Sequence, residues 1–311
     1  MQLVGPVLGP VFGGALSQAF GWRSTFICLA VFCGAVVVPL LAVLVPETHQ
    51  FKVLRSLQKQ QPGVTLKIME AETILNAKPV LQGPWVAVGY LLESGILPYA
   101  LVTMMIFGIL IASLTEWPAQ MSTAPYSMNE AIMGISYLAN GLGGLFSSPV
   151  GGKVSDFTAA RHPGILEARL LGNTAIAAFI MPVGCLLYGW SLQEKTHLVA
   201  PLVGHFLIGA ASAGWMPGFY GYVSSVKQAN AGAASAAGQF VMFVTAGSLV
   251  LVSVSAVHKM GIGPYFTLLA GLQFLLAAVA ACCIWKQFRL QNRQRQHEAA
   301  GPKPARNLHT S

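Results

Sequence analysis

Charge is what this chain has least of. Of its 311 residues 9% are Asp, Glu, Lys or Arg, where a soluble domain carries about 25%. A folded globule needs polar surface to face water, so a soluble fold is excluded. Cysteine is scarce too: five residues, with no C-x-x-C or Cys/His spacing, suggest neither a disulfide scaffold nor a metal site. Cys28, Cys33, Cys185, Cys282 and Cys283 all fall inside apolar runs, where free cysteine behaves as a small hydrophobe. Catalytic motifs are also missing: there is no Gly-x-Ser-x-Gly, no Gly-x-x-x-x-Gly-Lys and no paired metal-ligand helix. These absences speak against an enzyme, a resident cofactor and an ATP-driven pump, and leave an ion gradient as the energy source of any transport. What is abundant is apolar: 54% hydrophobic residues, 33 glycines and a mean hydropathy of +0.62. That is the composition of a multi-span membrane protein.

A helix needs about 20 apolar residues to cross a hydrocarbon core of about 30 Å. Eight runs qualify, over residues 3–20, 24–45, 96–119, 131–152, 171–190, 198–223, 231–257 and 264–285. They are too long, and too uniformly apolar, for the strands of a barrel. The expected fold is therefore all-α, a transmembrane helical bundle of about eight spans.

Basic residues near span ends stay on the cytoplasmic side of a membrane. Lys52, Arg55, Lys59, Lys67 and Lys78 lie between the second and third runs, Lys153, Arg161 and Arg169 in the next connection on that side, and Lys227 in the one after. Lys286, Arg289, Arg293, Arg295, Lys303 and Arg306 follow the last run, bringing that face to fifteen cations; Arg23, Lys195 and Lys259 are the three opposite. The C-terminus is thus expected in the cytoplasm of a multi-pass cell-membrane protein. A nucleic-acid partner for the basic tail is the weaker reading, since beyond Phe288 no aromatic residues are interleaved with it.

The first run carries Gly5-Pro6-Val7-Leu8-Gly9-Pro10-Val11-Phe12-Gly13-Gly14. Gly5, Gly9 and Gly13 share one helical face, a spacing that lets another helix approach closely, and Pro10 interrupts the backbone ladder. Followed by Gly21-Trp22-Arg23 and Phe26, this segment resembles the latter part of the antiporter motif of drug:proton antiporters in the major facilitator superfamily. Gly151-Gly152-Lys153-Val154-Ser155-Asp156 resembles that superfamily's cytoplasmic loop signature, with Phe157 where an arginine is expected. Gly152 is expected to permit a tight turn there, and Asp156 to cap the next helix or pair with Lys153 or Arg161. Leu187-Tyr188-Gly189-Trp190, Pro201-Leu202-Val203-Gly204, Ala233–Ala237 and Phe266-Thr267-Leu268-Leu269 continue the likeness in the order of spans nine to twelve of fungal-type twelve-span members. Ser225 and Met242 stand where members often carry an aspartate and an arginine.

By that resemblance the eight runs are spans five to twelve, and the chain is expected to be an N-terminally truncated member. Residues 1–45 would be the last two spans of the first half, 46–95 the central cytoplasmic loop with an amphipathic stretch at 84–93, 96–287 the six-span second half and 288–311 a basic tail. Gly9, Pro10, Gly13 and Gly14 would form the contact between halves, and Gly152, Lys153 and Asp156 a cytoplasmic gate.

Ionisable groups inside spans are costly and are functional candidates. Glu116 and His205 qualify, with uncharged Asn140, Asn173, Gln239 and Gln273 beside them. His205 either takes a proton or hydrogen-bonds a neighbouring helix, and Glu116 is either a transport residue or an interfacial one beside Trp117; both are expected, with Gln239, to face the cavity. Tyr126, Tyr137, Trp215, Tyr220 and Phe240 are aromatic candidates for stacking on a flat, lipophilic compound. Ala139, Gly143, Ser147 and Gly151, and likewise Ala210, Gly214 and Gly218, mark close helix contacts. The resemblance implies a secondary transporter exporting a drug, toxin or secondary metabolite, coupled to protons, in a lipid bilayer. The alternative is a non-transporting remnant or regulatory partner of a full-length transporter.

Overall fold

The computed structural model describes residues 4–40 and 84–299, and among these no residue is in a strand. Helix α1 (Val4–Phe20) reverses at Gly21 into α2 (Trp22–Phe32), which continues through a π turn (Cys33–Val37) to residue 40. Gly21 has φ +82°, a left-handed conformation that suits a residue without Cβ. Then come α3 (Pro84–Leu91), α4 (Leu97–Met121), α5 (Glu130–Ser136) and α6 (Leu138–Arg161). A further rod is α7 (Ala168–Ala175), a π segment (Ile176–Ile180) and α8 (Met181–Gln193) end to end. The last helices are α9 (Val199–Val226), α10 (Ala231–Met260) and α11 (Ile262–Ala299).

Among the described residues six rods are long and apolar enough to cross a membrane: Trp22–Leu40, Leu97–Met121, Ala168–Gln193, Val199–Val226, Ala231–Met260 and Ile262–Leu290. The other two expected spans are helical but differ from expectation. Described residues give α1 a length of 17, and the run at 131–152 is two helices, α5 and α6, separated at Tyr137 and diluted by Gly, Ser and Asn. Those small residues are used against a neighbouring helix, as shown below. Large apolar side chains such as Phe26, Leu251 and Leu275 project outward, as lipid contact requires.

Contacts between connections sort the helix ends into two sets. At one end Lys227 Nζ lies 2.6 Å from Glu93 Oε1 and 4.8 Å above the Tyr90 ring, Tyr222 donates its hydroxyl to the Gly95 carbonyl at 2.8 Å, and His162 meets Phe288. These contacts hold α3 beside the start of α10. At the other end Tyr126 bonds the Thr196 carbonyl at 2.6 Å, Gln193 accepts from Gly263 N–H, and Gln18 accepts from Ala131 N–H. Lys153, Arg161, Arg169, Lys227, Lys286 and Arg289 belong to the first set, and Arg23, Lys195 and Lys259 to the second. Most of the expected loop, residues 46–83, and the tail residues 300–311 lie outside the described residues.

The expected turn at Gly152 is corrected. Gly151 to Asp156 lie inside α6, which runs on to Arg161, and the chain reverses near Gly164, at φ +92°. Hydropathy falls where the helix leaves the apolar layer, but nothing from Lys153 to Arg161 breaks a helix.

Candidate functional site

The back wall of the site is the pair α6 and α9, joined backbone to backbone. A Cβ on Gly143 would collide with the Phe206 carbonyl, one on Gly151 with the Gly214 carbonyl, and one on Gly209 with the Asn140 carbonyl. Asn173 ties the pair from α7: its Nδ2 donates to Gly214 O at 2.6 Å and to Gly151 O at 3.2 Å. Side chains of ordinary size would hold these helices apart, so the small-residue stripes determine where the wall stands.

α4 and α10 supply the facing walls. Phe107 and Phe243 meet edge to face, with centroids 5.0 Å apart and planes at 80°. Between the four helices lies a cavity of about 410 Å³, open on one side, lined by Phe107, Leu110, Ile111 and Leu114 of α4, Asn140, Gly141 and Gly144 of α6, Gly209, Ser212, Ala213, Met216 and Tyr220 of α9, and Gln239, Met242 and Phe243 of α10. None of these residues is charged. Tyr220 donates its hydroxyl to Met242 Sδ at 3.5 Å, and Asn140 donates Nδ2 to the His205 carbonyl at 3.1 Å. Pro217 has no N–H to offer the Ala213 carbonyl one turn back, which leaves an acceptor on the cavity wall without its usual helical donor.

Asn140, Tyr220 and Gln239 are therefore brought together. Trp215 is not on the wall: it is buried behind it, its Nε1 donating to Thr103 Oγ1 at 2.7 Å. Phe240 projects outward, and Phe243, one turn on, is the ring that lines the cavity. Phe107, Met216 and Phe243 were not singled out from the sequence; Met216 and Phe243 each follow a polar wall residue, Ser212 and Gln239, by four positions on the same helix.

His205 and Glu116 are both corrected off the wall. The His205 ring is fully buried, stacked at 4.7 Å on Trp117 and packed against Tyr137 and Tyr188. The polar atoms of that cage are turned elsewhere: Trp117 Nε1 donates to Ser136 Oγ at 2.7 Å, Tyr137 to the Leu114 carbonyl at 2.8 Å and Tyr188 to the Ser113 carbonyl at 2.8 Å. Pro118 explains one of these bonds, because it lacks the N–H that would otherwise serve Leu114. Neither nitrogen of His205 has a hydrogen-bond partner among the described residues. Glu116 faces the other side of α4, 7% exposed, and accepts a hydrogen bond from Ser253 Oγ of α10 at 2.8 Å. It is the one buried acidic residue among the described residues.

The α1 motif makes contact, but not through the expected face. Gly14 lies against the Glu130 carbonyl and Gly134, and Gly134 in turn against the Pro10 carbonyl, whereas Gly13 faces Thr25 and a Cβ on Gly9 would meet nothing within 4 Å. Gly5 lies in the first turns of the same helix. A second cavity of about 470 Å³ opens between α1 and α5, lined in part by Pro10, Gly14, Glu130 and Tyr137. At the basic end Asp156 pairs with Arg169 at 3.1 Å rather than with Lys153 or Arg161; Arg161 lies over Phe157 instead. Gly152 comes to within contact distance of Pro217.

A family model described as Major Facilitator Superfamily matches residues 1–251, which include every residue of the cavity between α4, α6, α9 and α10. The chain is similar to the efflux pump radE of Floropilus chiversii, at 29% identity over 67% of this chain and 40% of that protein. It is similar to the MFS transporter OpS2 of Beauveria bassiana, at 28% identity over 68% of this chain and 67% of that protein. It also matches the multidrug transporter AQR1 of Candida glabrata, at 25% identity over 88% of this chain and 51% of that protein. The chain spans about half the length of the curated relatives it matches. No solved structure matches it.

Proposed function

Because the chain belongs to the major facilitator superfamily, whose members are membrane transporters and not enzymes, we propose that it exports a small organic compound in exchange for protons. The observation that carries this reading is the uncharged cavity of about 410 Å³ between α4, α6, α9 and α10. Its volume suits one drug-sized molecule, in keeping with relatives named efflux pump and multidrug transporter. The compound would be a drug, toxin or secondary metabolite.

The fifteen-to-three distribution of cations supports a basic end in the cytoplasm and a site in the cell membrane. Asp156 with Arg169, and Lys153 on the same helix face region, would act at the cytoplasmic gate. Gly14 and Pro10 would hold the first pair of spans to the second half of the transporter.

Glu116 is the better proton carrier of the two candidates. An ionisable side chain inside a membrane bundle is a functional candidate, and Glu116 lies on the seam between two cavity helices, where a change of charge would be felt by both. His205 is enclosed by three aromatic rings whose polar atoms are already engaged. The test is uptake of a labelled panel of lipophilic toxic compounds into proteoliposomes under an imposed pH gradient. Wild-type protein and His205→Ala are expected to accumulate at least one compound, and Glu116→Gln to lose the dependence on the gradient. Unchanged gradient dependence in Glu116→Gln would remove it from the coupling.

A second reading is a chain that works only beside a full-length transporter. It is favoured by the span Trp22–Leu40, none of whose apolar window is buried among the described residues. Transport by the reconstituted chain alone would dispose of it.

A further inference from the structure

We propose that the cavity between α4, α6, α9 and α10 selects a flat, uncharged aromatic compound and rejects an organic cation of the same shape. The inference rests on the reading of that cavity as the site of the transported compound, and it narrows the class of that compound.

The wall offers much to a neutral ring. Phe107 and Phe243 flank it with aromatic surface, and Met216 and Met242 add polarizable thioethers that adapt to the edge of a planar guest. Tyr220 and Gln239 supply dipoles that turn a guest without demanding a charge.

The same wall offers little to a cation. A positive charge leaving water needs a carboxylate beside it, or several aromatic faces turned towards it. No carboxylate among the described residues lines the cavity. Glu116, the one buried acid among the described residues, points away across α4 and is held by Ser253. The edge-to-face geometry of Phe107 and Phe243 also divides their surfaces: one ring presents its electron-rich face to the other's electropositive edge, so the two do not converge as faces on one point. Cation–π attraction from this arrangement is therefore left to compete alone with desolvation.

Acridine and N-methylacridinium provide the test, because they share one planar tricycle and differ in charge at mildly alkaline pH. Binding is measured by calorimetry to the whole chain in lipid nanodiscs, with empty nanodiscs subtracted. Acridine is expected to bind at least tenfold more tightly than N-methylacridinium, and Phe243→Ala, whose side chain is half or more exposed, to weaken acridine with the fold intact. Gln239→Glu places a carboxylate on the wall and is expected to raise N-methylacridinium affinity about tenfold while leaving acridine equal or weaker.

Equal binding of both compounds to wild type, lowered together by Phe243→Ala, would overturn the selectivity and leave the cavity standing as a site. A Gln239→Glu chain that folds and gains no affinity for the cation would likewise overturn it. Absence of any binding that responds to Phe243→Ala would overturn the reading of the cavity itself, and this inference with it.

Discussion

The two helix pairs that frame the cavity are built on opposite principles. Between α6 and α9 the contact is made of glycine backbone, with Gly143, Gly151 and Gly209 each set against a carbonyl of the other helix. Between α4 and α10 it is made of side chains: Phe107 on Phe243, Leu249 over Gly108, and Ser253 on Glu116. A backbone contact has no rotamers to adjust, so it holds one geometry or fails. A side-chain contact can repack. The difference assigns rigidity to one pair and adaptability to the other, within a single bundle.

The largest effect is expected from breaking the first pair. Gly151→Leu forces a side chain into the Gly214 backbone and should cost about 3 kcal/mol or more, seen as loss of the monodisperse peak in fluorescence-detected size exclusion. Gly247, on the open surface of α10 with nothing within 4 Å of a Cβ, is the matching control and should accept the same leucine. An intermediate effect is expected at the second pair. Ser253→Ala removes the hydrogen bond to Glu116 and should lower stability by about 1 to 2 kcal/mol, read as a fall in melting temperature, with a smaller loss when Glu116→Gln is already present. The smallest is expected from Gly108→Ala. Its Cβ would meet the Leu249 Cδ2 at 3.3 Å, the far end of a flexible side chain, and the change should stay within about 1 kcal/mol. If Gly108→Ala proved as damaging as Gly151→Leu, the contrast between the pairs would collapse.

The rigid pair was legible in the sequence and the adaptable one was not, for a physical reason. Gly143, Gly151 and Gly214 stand out because only a missing side chain permits that approach, and spacing alone reveals it. Glycine spacing still leaves a choice of face: Gly5, Gly9 and Gly13 form one stripe and Pro10 with Gly14 another, and the partner surface at Gly134 decides between them. Hydropathy located all eight helical runs, yet it could not show that α6 continues past Gly152, because leaving the lipid does not end a helix. Side-chain contacts such as Phe107 with Phe243 depend on the rotation of two helices about their own axes. A phase error of about 60°, the angle between positions three apart on a helix, is enough to name Phe240 in place of Phe243. His205 and Glu116 are conspicuous as ionisable groups in apolar runs, but the His205 ring is placed by Trp117 and Tyr188 and the Glu116 carboxyl by Ser253, each contributed by another helix.

The carbonyl left without a donor by Pro118 is filled by Tyr137, and its neighbours Ser113 and Trp117 bond to Tyr188 and Ser136, while Thr103 lower down receives Trp215. Four bolts thus fasten α4 to α5, the α5–α6 junction, α8 and α9, against the single polar side-chain tie to α10, from Ser253, among the described residues. In carpentry terms α4 is a doorpost, bolted through polar side chains on one side and held to α10 on the other almost wholly by apolar packing.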